Sequence, residues 1–177
     1  MSTTKWTLDP MHSEIGFKIK HLMITNVSGS FGKFEVTAET NGDDFSSGKI
    51  SFSAEISSIN TGSDQRDGHL KSADFFDMEK FPEIKFIAQG MESIGSDEYK
   101  LNGDLTIRDV TRPIQLQVEM GGIVKDPYGN TKAGFTLTGK INRKEFGLTW
   151  NAATETGGVL VSEDVKIQSE IQLVKQA

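Results

Sequence analysis

The chain has 177 residues, 36% of them hydrophobic and 25% charged, with a net charge of −6 and no cysteine. That length and balance fit one globular domain spanning residues 1–177 and exclude a disordered chain. The acidic charge offers no basic stripe for nucleic acid or for an anionic membrane surface, so neither partner is expected, and the missing cysteines exclude disulfides, thiolate nucleophiles and cysteine-based zinc sites.

The first segment, Met1-Ser2-Thr3-Thr4-Lys5-Trp6, carries no apolar run of the length a secretory leader or membrane span needs, so as written the chain is expected in the cytoplasm without stable membrane insertion. Period-two alternation, the pattern of strands with one buried face, then recurs along the chain. Ile15, Phe17 and Ile19 alternate with Gly16, Lys18 and Lys20, and His21 shares the inward parity. Phe34, Val36 and Ala38 form the next such row, followed by Ile50, Phe52, Ala54 and Ile56.

Ser63 then has the chemistry of a helix cap, with Asp64 and Asp67 early and Lys71 late to suit the helix dipole. The following Phe75 and Phe76 are expected to fold over one end of the sheet. Alternation resumes in Ile84, Phe86 and Ala88, in Leu101, Gly103, Leu105 and Ile107, and in Ile114, Leu116, Val118 and Met120. Phe135, Leu137, Gly139 and Ile141 follow, then a brief turn over Asn142–Phe146, and Val165, Ile167, Ile171 and Leu173 close the series.

That makes about eight strands, the size at which a small barrel can hold a ligand. The connections Asn41–Asp44, Gly95–Asp97 and Asp126–Asn130 are short and rich in turn residues, so hairpins and an antiparallel meander are expected rather than parallel crossovers. Arg108 and Arg112 flank a tight turn at Asp109-Val110-Thr111.

Alternation says which side faces in, not whether the interior is filled. The inward rows mix Phe17, Phe52, Phe86 and Phe135 with the small Ala54, Ala88, Gly103, Gly139 and Ser169. Small residues facing across a barrel leave space; equally, glycines within strands mark bends or close backbone approach. Sequence leaves these two readings level. An open interior would have an aliphatic and aromatic lining suited to an apolar guest.

Polar chemistry is sparse. His12, His21 and His69 show no metal-ligand spacing, and no nucleophile elbow, phosphate loop or dinucleotide fingerprint is present, so neither a metal nor a cofactor is expected. The carboxylate pairs Asp43-Asp44, Asp97-Glu98 and Glu163-Asp164 sit beside turn residues as solvated loop charges. Arg108, Arg112 and Arg143 stand at turns or strand ends and Arg66 lies in the expected helix, and each guanidinium meets either solvent or an anionic head group.

Several ordered motifs point further. Trp6-Thr7-Leu8-Asp9-Pro10-Met11-His12-Ser13, Phe17–Leu22, Gly29-Ser30-Phe31 with Phe34, His69–Asp77 and Phe81–Phe86 occur in sequence. Gly103–Pro113 and Asn142–Leu148 complete the set. Together they resemble the YceI-like, polyisoprenoid-binding family over nearly the whole chain, with Asp109 standing where that family often has glycine.

The resemblance implies an all-β fold, an antiparallel eight-stranded lipocalin-like barrel with one short helix, whose elongated pocket holds a long isoprenoid or fatty-acyl lipid for binding, storage or transport. It tips the level readings toward a hollow interior. Many relatives are bacterial proteins exported to the periplasm. On parity, the tail contacts are Phe17, Ile19, His21, Phe34, Phe52, Phe86, Leu105, Leu137 and Ile167, with His12, Ser13, Arg108 and Arg143 at the mouth or head group. No catalytic role is expected, no nucleic acid partner is expected, and a homodimer is compatible with the sequence. Two alternatives remain: an enzyme acting on a lipid or quinone-like substrate with His21 or His12 as base, and a filled barrel serving as a stress or interaction module.

Overall fold

Where apolar and polar residues alternate, the backbone forms long antiparallel strands; a computed structural model describes residues 3–151 and 160–176. Its strands are β1 (Thr3–Leu8), β2 (Glu14–His21), β3 (Thr25–Phe31), β4 (Phe34–Asn41), β5 (Asp44–Glu55) and β6 (Ile59–Asn60). Helix α1 (Asp64–Lys71) separates these from β7 (Glu83–Gly95), β8 (Glu98–Ile107), β9 (Val110–Lys125), β10 (Thr131–Asn142) and β11 (Val161–Lys175). Ser63 caps α1 as its sequence indicates, its hydroxyl accepting from the Arg66 amide.

Hydrogen bonding runs β1-β4-β5-β7-β8-β9-β10-β11, and β11 pairs back onto β1, so these strands close an antiparallel barrel. The closing strand is Thr3–Leu8, which alternation does not reveal, because only Trp6 of its residues is fully buried. The segment Ile15–Ile19, read from the sequence as a barrel strand, lies in β2, which continues along the same edge of β11 and carries β3 and β6 beyond the ring. The β8–β9 turn also differs in detail. Arg108 is inside it with a left-handed φ of 57°, and Val110 and Thr111 already belong to β9.

The interruption between β1 and β2 is held by several groups. Asp9 starts a single 3-10 turn at Pro10–His12, accepting from the Met11 amide, while Ser13 Oγ accepts from the Gln172 amide at 2.9 Å. Lys132 Nζ on β10 reaches Asp9 Oδ2 at 2.7 Å, and both side chains are largely buried. The hydrogen bond from Lys132 is the main cause that holds the Asp9 carboxyl below its ordinary value of 3.8, against the opposing effect of burial.

One end of the barrel is filled by aromatics. Trp6 is 0% exposed, its indole donates to Thr40 Oγ1 at 2.8 Å, and its ring packs 4.9 Å from Phe45, which meets Phe135 at the same distance. At the other end α1 and the following turns lie across the opening, with Phe31 packed edge-on against Phe76.

Trp6→Ala should therefore destabilise the protein by about 3–5 kcal/mol in urea denaturation, because it opens a cavity at the closing strand and strips Thr40 of its donor. A depressed carboxyl contributes stability above its unfolded pKa and loses it as pH falls through its folded one. Asp9→Asn should accordingly be less stable than the unsubstituted protein at neutral pH, with the gap closing as pH drops below 3.8; a gap that persists in acid would show that the ion pair is not its source.

Candidate functional site

The inward rows of the barrel do not meet at its centre. They leave two adjoining spaces, of about 130 Å³ toward the aromatic end and about 330 Å³ toward α1, and the walls of both include Ile15, Phe52, Leu105 and Ile167. These four form the waist between the two parts of the lumen. Its lining is apolar throughout the narrower part, with the buried Ser169 as the lone hydroxyl there.

Space survives because large side chains lie flat against the wall. Phe17 on β2 pairs with Gly29 on β3, and a Cβ added to Gly29 would fall 2.3 Å from the Phe17 ring. Phe86 lies in the same way over Gly103, and Leu116 over Gly139, where added Cβ atoms would fall 2.5 and 2.4 Å away. At these positions the glycines give room to a neighbour's side chain. With neighbours of that size missing from the centre, the lumen wall forgoes dispersion contacts that a close-packed interior would make.

The wider part ends in polar groups. Arg143, 2% exposed, donates Nε to the Ser162 carbonyl at 2.8 Å and Nη1 to the carbonyls of Leu148 and Trp150 at 2.6 and 2.8 Å. Its Nη2 reaches the Val161 carbonyl only at 3.5 Å. Burial pushes its pKa down, and the negative charge of Glu163 opposes that shift. Among the described residues no carboxylate lies at ion-pair distance from this guanidinium, which borders the lumen beside His21, His69 and Arg66. His69 Nε2 sits 2.9 Å from Asp74 Oδ2, with its ring edge-on to Phe75 and Trp150. Arg66 is held by Thr61, through Oγ1 at 2.7 Å and the carbonyl at 2.6 Å.

The sequence-predicted residues divide accordingly. Phe17, Ile19, His21, Phe52, Phe86, Leu105, Leu137 and Ile167 all border the lumen. Phe34 does not. It shares the inward parity of β4 but stands at the strand's first residue, where β3 and β4 separate, and faces an outer groove with Lys33 and Glu35.

His12 also lies away from the lumen, exposed and bound through Nδ1 to Asp9 Oδ2 at 2.8 Å, so it cannot serve as base toward a lumenal substrate. Ser13 is engaged in joining β2 to β11. Arg108 stacks over Phe81 at 5.9 Å, donates to the Gly147 carbonyl at 3.4 Å, and leaves its buried Nε unpartnered. Of the four mouth residues only Arg143 faces the lumen. Sequence reasoning left Arg66 and His69 as general head-group or mouth candidates outside the assigned site and passed over Trp150; the convergence of the three depends on how α1 and the chain up to Trp150 fold at the opening.

Comparison with known proteins agrees with this architecture. The model of the YceI-like domain matches residues 6–173. A UPF0312 protein of Staphylococcus aureus is 41% identical over 170 residues, covering 96% of each chain. Among solved structures, a YCEI protein of Campylobacter jejuni superposes with a TM-score of 0.77 at 35% identity, covering 96% of this chain and 97% of that one. BcnA of Burkholderia cenocepacia shares the fold, with a TM-score of 0.80 at 19% identity over 93% and 98% of the two chains. So does a polyisoprenoid binding domain from Saccharophagus degradans, with 0.67 at 14% identity over 97% and 98%.

Replacing Gly29 by Ala should drive the Phe17 ring off the wall into the lumen, since the added carbon meets only that ring at close range. The expected result is weaker binding of an apolar fluorescent dye with the circular-dichroism spectrum unchanged. Undiminished dye binding would show that the ring finds room elsewhere.

Proposed function

The chain belongs to the YceI-like family, and from that premise we propose that its lumen binds a long-chain apolar lipid, of isoprenoid or fatty-acyl type, as a carrier or store. The observation that carries this reading is the apolar lining of two spaces placed end to end about a shared waist, an arrangement that suits an extended tail better than a compact metabolite. Each methylene transferred from water into such a lining contributes about 0.8 kcal/mol, so tail length governs affinity.

Orientation follows from the ends. The tail runs toward Phe45 and Phe135, where nothing polar greets it except Ser169, and the head rests near Arg143, His69 and Arg66. A buried guanidinium beside apolar walls, with no carboxylate at ion-pair distance among the described residues, favours a head group bearing an anionic or strongly accepting oxygen. Binding rather than turnover is the reading, because the polar groups cluster at one end and leave the tail's length without a reacting partner. The description of the Saccharophagus domain as polyisoprenoid binding supports the same class of ligand.

The test is organic extraction of the purified protein with mass spectrometry, joined to titration with fluorescent prenyl and fatty-acyl probes in detergent-free buffer. Saturable binding at one probe per chain is expected, and Ile167→Glu, which places a carboxyl at the waist, should weaken it by about tenfold or more. Repeated absence of both extractable lipid and probe saturation would defeat the proposal.

A further inference from the structure

The turn joining β2 to β3 contradicts its own chemistry. Leu22 and Met23 adopt left-handed φ values of 53° and 60°, a region that favours glycine or asparagine, and the Ile24 amide closes the turn onto the His21 carbonyl at 3.2 Å. All three side chains nonetheless are apolar and face water, at 40%, 52% and 77% exposure. Neither turn geometry nor packing calls for Leu-Met-Ile here. Backbone strain combined with exposed apolar surface marks a segment kept for contact with something else.

Its position identifies the contact. The turn is tied by the Leu22 amide to the Leu160 carbonyl at 2.8 Å, and both Leu160 and His21 line the wider part of the lumen. The apolar tip therefore stands at the mouth through which a lipid would enter. Behind it lies a band of positive charge: Lys18 on β2 is opposite Lys166 on β11, which is opposite Lys140 on β10, and Lys20 lies between Lys18 and the tip. All four are exposed. Lys140 is 3.6 Å from Asp164, whereas among the described residues no carboxylate lies at ion-pair distance from Lys18, Lys20 or Lys166. Like charges directly opposite one another weaken a sheet unless something anionic covers them.

We propose that this hairpin tip docks the barrel on an anionic bilayer surface, with Leu22, Met23 and Ile24 in the boundary between head groups and acyl chains and the lysines at head-group level. The contact is interfacial. It sets the lumen mouth against the bilayer, so that a lipid passes between membrane and barrel without exposing its tail to water. The inference rests on the lipid-binding reading and adds the surface from which the ligand is taken.

The experiment is co-sedimentation with vesicles of phosphatidylcholine alone and with added phosphatidylglycerol, at low and high salt. The comparison is a triple variant, Leu22→Asn, Met23→Gly and Ile24→Thr, which removes the apolar tip while supplying residues that suit the turn, so folding is preserved. The unsubstituted protein should sediment with the anionic vesicles in a salt-sensitive manner, and the triple variant should lose about tenfold or more of that association while still binding the prenyl probe in solution. Lys18→Gln with Lys20→Gln should reduce association with the anionic vesicles alone.

Equal sedimentation of the triple variant, or no sedimentation of the unsubstituted protein while the probe still binds, would overturn the docking proposal. So would a tip that serves only to pair two copies of the chain, seen as a dimer lost in the triple variant without any vesicle association. Tip-dependent vesicle association without probe uptake would support the docking and defeat the lipid-binding reading.

Discussion

Keeping a barrel hollow requires that bulky side chains on its inner face be held against the wall rather than allowed to meet at the axis. Here that constraint is met by pairing large residues with glycine. Phe17 over Gly29, Phe86 over Gly103 and Leu116 over Gly139 each lay a side chain along the sheet where any Cβ would lift it inward. These seats keep side chains clear of the lumen and its waist at Ile15, Phe52, Leu105 and Ile167.

The strand pattern was legible because burial on one face imposes period two, and the long strands β5, β7, β8, β9, β10 and β11 carry it plainly. Thr3–Leu8 and Thr25–Phe31 escaped for an opposite reason. Their residues are mostly polar or small, and they are strands because neighbours supply hydrogen-bonding edges, not because they bury a row. The lumen lining followed from parity, with Phe34 as the exception at a point where strands diverge. A choice between hollow and filled was beyond parity altogether, since it turns on which residue lies beside each glycine, and pairing between Phe17 and Gly29 is a property of register.

Head-end residues were the least legible. Arg143, His69 and Arg66 come from a turn after β10, from α1 and from its first turn, and nothing in their spacing brings them together. Ser13 and Arg108 show the converse. Both belong to ordered motifs of the family, yet Ser13 repairs the edge of β11 where the first strand breaks, and Arg108 braces a turn against Phe81 and Gly147. A motif residue can thus be retained for the barrel's closure as readily as for its contents.

Arg143 joins these two roles. Three short hydrogen bonds to carbonyls of residues 148, 150 and 162 make it the tie that holds the chain at the wide end in place, and among the described residues no carboxylate lies at ion-pair distance from it. Burying a cation is costly, and under the proposed reading an acceptor oxygen arriving with the ligand would offset that cost. Under the proposed reading the polar end is therefore both the frame of the mouth and the source of preference among guests. Tails of similar length but different heads would be distinguished there, while the apolar walls respond only to length and bulk.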